Sequence, residues 1–201
     1  MSVAILMSGG IDSSLCAVMA AEAGVEVVPV FVDYGQLAAE REFTTCRDLC
    51  LEHSFPEPVV VDLSGYGAVV PSGLTRRELD LNLDAFLPCR NLLMIVAAAG
   101  VAFSRGAASV AVGLLTEEAA IFPDQTMAFV RAAEAAVEAA LGAKIAILTP
   151  LAAYSKATVV RLAEERGLRR TYSCHAGGEN PCGVCVSCRE IEAAQRLREA
   201  S

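Results

Sequence analysis

Short, unbroken apolar runs alternate along the chain with longer stretches in which apolar residues recur every three to four positions. The runs at residues 3–7, 25–32, 59–62, 109–113 and 145–148 read as strands. The stretches at 12–23, 37–53, 90–105, 124–141 and 155–165 read as helices. The strands do not alternate apolar with polar, which is the pattern of a sheet covered on both faces. Strand and helix in strict succession predict an α/β fold with a doubly wound, five-stranded parallel sheet. Ligands of such sheets bind beyond the carboxyl ends of the strands, so Ser8-Gly9-Gly10, Asp33-Tyr34 and Gly113 should share one rim. Residues 65–87 break the alternation with Pro71, Gly73 and the pair Arg76-Arg77, and read as a flap over the site.

Composition narrows the class. At 201 residues, one domain with a small appendix is expected. Apolar residues make up 54% of the chain and aromatics 5%, so Ala, Val, Leu and Ile build the core. No apolar run reaches the roughly 20 residues a bilayer requires, and no basic segment precedes an apolar one as in a signal peptide. A cytoplasmic protein with no membrane partner is the expectation. The net charge is −8 with only two lysines, Lys144 and Lys156. That balance argues against a nucleic-acid partner, since such binding scales with phosphates neutralised by Lys and Arg. The basic stretch from Arg166 to Arg170 reads as a solvated helix end.

The first strand runs into Met7-Ser8-Gly9-Gly10-Ile11-Asp12-Ser13-Ser14. Two glycines let backbone approach an anion. The helix that follows aims its free N–H groups and positive dipole end at the turn. Three serine hydroxyls add donors without a repelling charge. Asp12 fits beside phosphate if it holds Mg²⁺, or else it caps the helix. No Gly-Lys-Ser/Thr follows, so this is not a Walker loop, and Gly-x-Gly-x-x-Gly is absent. Ser-Gly-Gly-x-Asp-Ser after a first strand resembles the PP-loop of ATP pyrophosphatases. That resemblance implies an adenine nucleotide alpha hydrolase-like fold and cleavage of ATP between its α- and β-phosphates, with adenylation of an acceptor oxygen.

Eight cysteines divide into two groups. Cys16, Cys46, Cys50 and Cys89 are scattered, whereas Cys174, Cys182, Cys185 and Cys188 form Cys-x7-Cys-x2-Cys-x2-Cys. Two-residue gaps turn successive thiolates onto one ion, Gly183 permits the knuckle, and four thiolates suit a closed structural Zn²⁺ site. A redox pair or an iron–sulfur cluster are the alternatives. His175 is read as a surface residue, the four sulfurs already completing the set. The expected division is a nucleotide-cleaving domain at 1–170 and a zinc-binding segment at 171–201.

The PP-loop and the cysteine spacing together resemble the 7-cyano-7-deazaguanine (preQ0) synthase family of queuosine biosynthesis. Val32 to Gln36, Leu87 to Asn91, the Thr149-Pro150-Leu151 stretch leading to Lys156, and Thr171 to Cys174 extend the match over nearly the whole chain. The resemblance implies an ATP-dependent ligase that turns a deazapurine carboxylate and ammonia into the nitrile. It implies nucleotide contacts from Met7, Ser8, Gly9, Gly10, Ile11, Asp12, Ser13, Ser14, Arg90, Asn91 and Gly113. Asp12, Lys156 and Arg90 would be catalytic, with Asp124 beside Asp12 near Mg²⁺. A homodimer is implied, its contact on the alanine-rich helix at 124–141. Departures fall at Leu37-Ala38 and at Leu115, Glu118, Gln125 and Thr126, where the family carries other polar or charged residues. They leave open a related amidation or thiolation enzyme acting on another small molecule or a tRNA base, and a nucleotide-binding module without catalysis. Cys89, inside the expected pocket, and Cys16 would be the sulfur carriers of the thiolation version.

Overall fold

The computed structural model describes residues 1–199; residues 200 and 201 of the expected zinc-binding segment lie outside the described residues. Strands β1 (Ser2–Leu6), β2 (Glu26–Asp33), β3 (Val59–Asp62), β4 (Ser109–Ala111) and β5 (Ala146–Leu148) form one sheet in the order β3-β2-β1-β4-β5. All four pairings are parallel, with Ala4 of β1 opposite Val28 on one side and Val110 on the other. The expected doubly wound five-stranded sheet is therefore present.

The helices are α1 (Ile11–Glu22), α2 (Ala39–Glu52), α3 (Ser64–Val69), α4 (Arg90–Ser104), α5 (Met127–Leu141), α6 (Lys156–Glu165) and α7 (Val186–Glu199). Side chains of β1 divide between two cores. Val3, Ile5 and Met7 face Leu15 and Val18 of α1, Cys46 and Leu49 of α2, and Val159 and Ala163 of α6. Ala4, on the other face, joins Val30 and Val110 against Ile95, Ala98 and Ala102 of α4 and Val130, Ala133 and Val137 of α5. Alanine lets α4 lie close on the sheet, which suits a chain with few aromatics.

Local chemistry sets the helix ends. Thr126 Oγ1 accepts the N–H of Phe129 at 3.2 Å to start α5, and Gly142 in the left-handed region stops it. Residues 123–125 form a tight turn ahead of that cap, so α5 begins three positions later than the apolar pattern predicts. Ser155 Oγ accepts the N–H of Thr158 at 3.3 Å and starts α6.

Two helices were not legible. Helix α3 lies in the expected flap, where Gly65 and Gly67 interrupt any apolar period. The rest of that stretch is pinned: Leu37 N–H donates to the Leu74 carbonyl at 2.8 Å, and Gly73 N–H to that of Asp84 at 2.7 Å. Leu74, Ala85 and Leu87 are buried, so the flap is a packed wall. Helix α7 follows directly on Cys185, where the cysteine spacing dominates the reading, and Ala194 anchors it in the core. No described helix is long and apolar enough to cross a membrane.

The division between faces is testable on α4. Ile95→Ala, at a fully buried position, should destabilise the chain by about 2–5 kcal/mol. Val96→Ala, on the solvent side one residue on, should change stability by no more than about 0.5 kcal/mol. Urea denaturation of both variants separates the two.

Candidate functional site

Helices α1 and α2 cover one face of the sheet and α4 and α5 the other, so the winding reverses between β1 and β4. Strand ends part there, as expected of a ligand crevice in this topology. A cavity of about 320 Å³ opens at that point, lined by Met7, Ser8, Gly10, Asp12, Ser13 and Gly113 among others.

The turn out of β1 is built around Gly9, whose φ of +80° is left-handed. A β-carbon there would lie 2.7 Å from the Cys46 nitrogen and 2.9 Å from the Glu42 carbonyl oxygen. Only glycine lets α2 lie against the turn. Gly10 then leads into α1 with no side chain capping it, so amides of the first turn face the cavity without intrahelical partners. Ser13 Oγ accepts the Ser8 N–H at 3.3 Å and donates to the Gly10 carbonyl at 3.1 Å. Ser14 Oγ donates to the same carbonyl at 2.8 Å and is buried. Gly9, Ile11 and Ser14 thus stand behind the cavity wall and shape it.

Lys156 Nζ, from the start of α6, lies 2.7 Å and 2.9 Å from the two Asp12 carboxylate oxygens. Its side chain is 13% exposed, against 29% for Asp12, which leaves the carboxylate open to the cavity. Arg90 and Asn91 enter from the first turn of α4, with the Arg90 guanidinium 5.9 Å from the Tyr34 ring centre. Asp124, expected beside Asp12, instead accepts the Asn91 N–H at 3.3 Å, and its carbonyl accepts from Asn91 Nδ2 at 2.8 Å. It steadies the start of α4.

The C-terminal segment forms part of the same cavity. Tyr172 N–H donates to the Gly9 carbonyl at 2.9 Å, tying this segment to the turn. Ser173 Oγ lies 3.4 Å from the Ile11 nitrogen and accepts its N–H. Ser173, His175, Val186, Ser187 and Glu190 all line the crevice. Cys174, Cys182, Cys185 and Cys188 present sulfurs that all lie within 4.8 Å of one another. Backbone N–H groups of Cys182 and Cys185 donate to the sulfurs of Cys174 and Cys182, each at 3.3 Å. Such donors favour thiolate, and the set can hold a metal ion.

His175 is not the surface residue expected. Its Nδ1 is shut from solvent with no hydrogen-bond partner. Burial, with Arg90 and then Lys156 nearby, lowers its pKa to about 4. Glu190, missed in the sequence, lies 3.8 Å from Lys156 Nζ, and burial raises its pKa against the pull of Lys156.

A model of the family described as queuosine biosynthesis protein QueC matches residues 2–198. The 7-cyano-7-deazaguanine synthase of Campylobacter concisus is 31% identical over 92% of this chain and 89% of its own length. This chain belongs to the QueC family. Among solved structures, the U34-tRNA thiolase NcsA of Methanococcus maripaludis, solved with its 4Fe-4S cluster, aligns with TM-score 0.56 at 16% identity, over 100% of this chain and 73% of that one. A 4-thiouridine synthetase in complex with RNA and bound ATP aligns with TM-score 0.54 at 18% identity, over 99% of this chain and 52% of that one. These two share the fold.

In this QueC-family chain the departures from the family pattern separate by location. Leu37 and Ala38 lie under the cysteine loop, where a β-carbon on left-handed Gly177 would stand 2.2 Å from the Leu37 carbonyl oxygen. Glu118 is exposed, and Thr126 caps α5. Gln125 reaches the crevice, its Oε1 accepting the N–H groups of Ile121 and Phe122 at 2.7 Å and 2.9 Å. Both donors require the oxygen there, so the amide nitrogen is the end left for a ligand. Cys89 is exposed outside the cavity, contrary to expectation, and Cys16 is buried with its pKa pushed up to about 12 by burial and by Asp12. Among the described residues, no cysteine lines the crevice.

Gly9→Ala should lower stability by about 1–3 kcal/mol from the left-handed backbone alone. The contact with α2 adds to that, and thermal denaturation should show a melting temperature below that of wild type.

Proposed function

We propose that the chain is an ATP-dependent carbon–nitrogen ligase that converts 7-carboxy-7-deazaguanine and ammonia to the 7-cyano product through an adenylated intermediate. The observation that carries this reading is the convergence, in one crevice, of the bare first turn of α1 with the Lys156–Asp12 pair and Arg90. The family's curated member names the product, and the 4-thiouridine synthetase of the same fold was solved with ATP.

A carboxylate is a poor electrophile, and adenylation gives it a leaving group. The amides around Gly10, with the Ser8 and Ser13 hydroxyls, would hold the departing pyrophosphate. Lys156 and Arg90 would offset negative charge as it develops on the phosphorus oxygens. Asp12 is the carboxylate open to the cavity at the positive end of α1, which fits a Mg²⁺ ligand; the ion would neutralise phosphate charge. The four sulfurs fit a tetrahedral zinc site in kind and mutual distance. That site braces Ser173, His175 and Glu190 against the crevice and carries no step. Apolar Leu6, Val30, Val32 and Val112 line the cavity and suit a nucleobase. In this reading two copies associate through α5, whose alanines allow close approach.

A second reading keeps adenylation and changes the acceptor. The amide of Gln125 favours it, because a donor at that point selects an acceptor edge on the substrate. Thiolation has less support than amidation, since no cysteine of the described residues reaches the cavity.

Purified chain given ATP, Mg²⁺, ammonia and the carboxylate should release AMP and pyrophosphate and form the nitrile, read by chromatography and mass spectrometry. Release of neither product nor AMP refutes the proposal. Lys156→Ala should lower kcat by about 10²–10³-fold, the range for loss of one charge-stabilising donor. Elemental analysis should find stoichiometric zinc, lost in Cys185→Ser with a fall in melting temperature, because metal binding at such a site contributes to folding free energy.

A further inference from the structure

The crevice holds a third carboxyl group that the steps above do not use. Glu42, one turn into α2, lines the cavity. Gln36 Nε2 donates to Glu42 Oε2 at 2.9 Å and also to the Val32 carbonyl at 3.3 Å. Gln36 Oε1 accepts the Tyr34 N–H at 2.9 Å. With all three bonds made and only 7% of its surface exposed, Gln36 is fixed, and it fixes Glu42 in turn. Asp12 and Glu190 both face Lys156, whereas Glu42 is held by a neutral amide and stays available for a proton.

We propose that Glu42 is the catalytic base that takes the proton from nitrogen in both halves of the reaction. This rests on the carboxylate-to-nitrile reading above. In the first half, the ammonia lone pair forms the bond to the acyl carbon. Glu42 takes a proton from that nitrogen, and AMP leaves with the electron pair of the carbon–oxygen bond. The amide oxygen is then adenylated by a second ATP. Adenylation, with loss of pyrophosphate, leaves a protonated imidate with two N–H protons; in the second half one passes to water and Glu42 takes the other. The freed pair completes the carbon–nitrogen triple bond, and AMP again leaves with the carbon–oxygen pair. Glu42 releases each proton to water before it takes the next.

The surroundings suit a base working near neutrality. Burial raises the Glu42 carboxyl to about 7, opposed by the Gln36 hydrogen bond and Arg90 and assisted by Asp33. Tyr34, Tyr172 and Cys46 also feel its charge; burial pushes the two tyrosines up, and the hydrogen bond with Cys50 followed by burial raises Cys46, so all three stay neutral across the working range. The charged groups facing Glu42 are therefore Arg90 from α4 and Asp33 from the end of β2.

Glu42→Gln tests this, because the variant keeps an acceptor for Gln36 and loses the base. Carboxylate-dependent exchange of labelled pyrophosphate into ATP should stay within about threefold of wild type, since adenylation moves no proton from nitrogen. Amide and nitrile formation, at fixed free ammonia, should fall by about 10²–10⁴-fold. The rise in wild-type rate through pH of about 7 should vanish in Glu42→Gln and return, at reduced rate, in Glu42→Asp. Nitrile at the wild-type rate overturns the assignment. So does a parallel loss of exchange, which would make Glu42 a residue of the fold or of nucleotide binding. A wild-type chain that neither exchanges pyrophosphate nor forms AMP overturns the parent reading and this one together.

Discussion

The turn at Gly9 is the constraint on which the rest of the site depends. Its left-handed backbone places a bare α-carbon where α2 must pass. The same residue's carbonyl takes the N–H of Tyr172, which fixes the start of the cysteine segment. One residue without a side chain therefore sets the distances among the anion-facing amides of α1, the Glu42 stretch of α2 and the C-terminal wall. Each of those elements belongs to a different part of the chain.

Charge in the crevice is arranged in two zones. At the α1 end, Asp12, Glu190 and Lys156 form a cluster whose components lie within 4.0 Å of the ammonium group. In the proposed reaction a phosphate would compete for Lys156 with Asp12 and a divalent cation for Asp12 with Lys156, so the pair could exchange partners without leaving either charge alone. At the other end, Glu42 and Arg90 face each other across Tyr34 and Gln36 with more burial and no direct ion pair. The first zone suits groups that stay charged. The second suits a group whose proton has to move.

The cysteine segment changes meaning once it is placed. By spacing alone it is a staple for the end of the chain. In the fold it carries Ser173 to the first turn of α1, His175 into the lining of the crevice, and Glu190 to Lys156. A metal held by those sulfurs would act on the site through position. Gly177, without a side chain, lets this loop lie directly on the backbone of Leu37 and Ala38, two of the departures from the family pattern. Of the departures, Gln125 lines the crevice, and Leu115 lines a smaller pocket beside Asp12 and Lys156.

The sequence by itself determined the elements whose signals are local. Five apolar runs give five parallel strands: the central ones are covered on both faces and need apolar residues throughout, while in the edge strand β3 Val60 stays exposed. The Ser8–Ser14 turn and the cysteine quartet were legible because neighbours in the chain supply all their parts. Only the tertiary structure decided which distant residues meet. Lys156 and Asp12 are 144 positions apart, and nothing near either foretells the other. Glu42, His175 and Glu190 are single polar residues with no spacing around them. Their places follow from the docking of α2 on Gly9, the fold of the cysteine loop and the packing of α7 on α6. Helix phase and close packing settle such positions, and both depend on surfaces brought together after the local elements have formed.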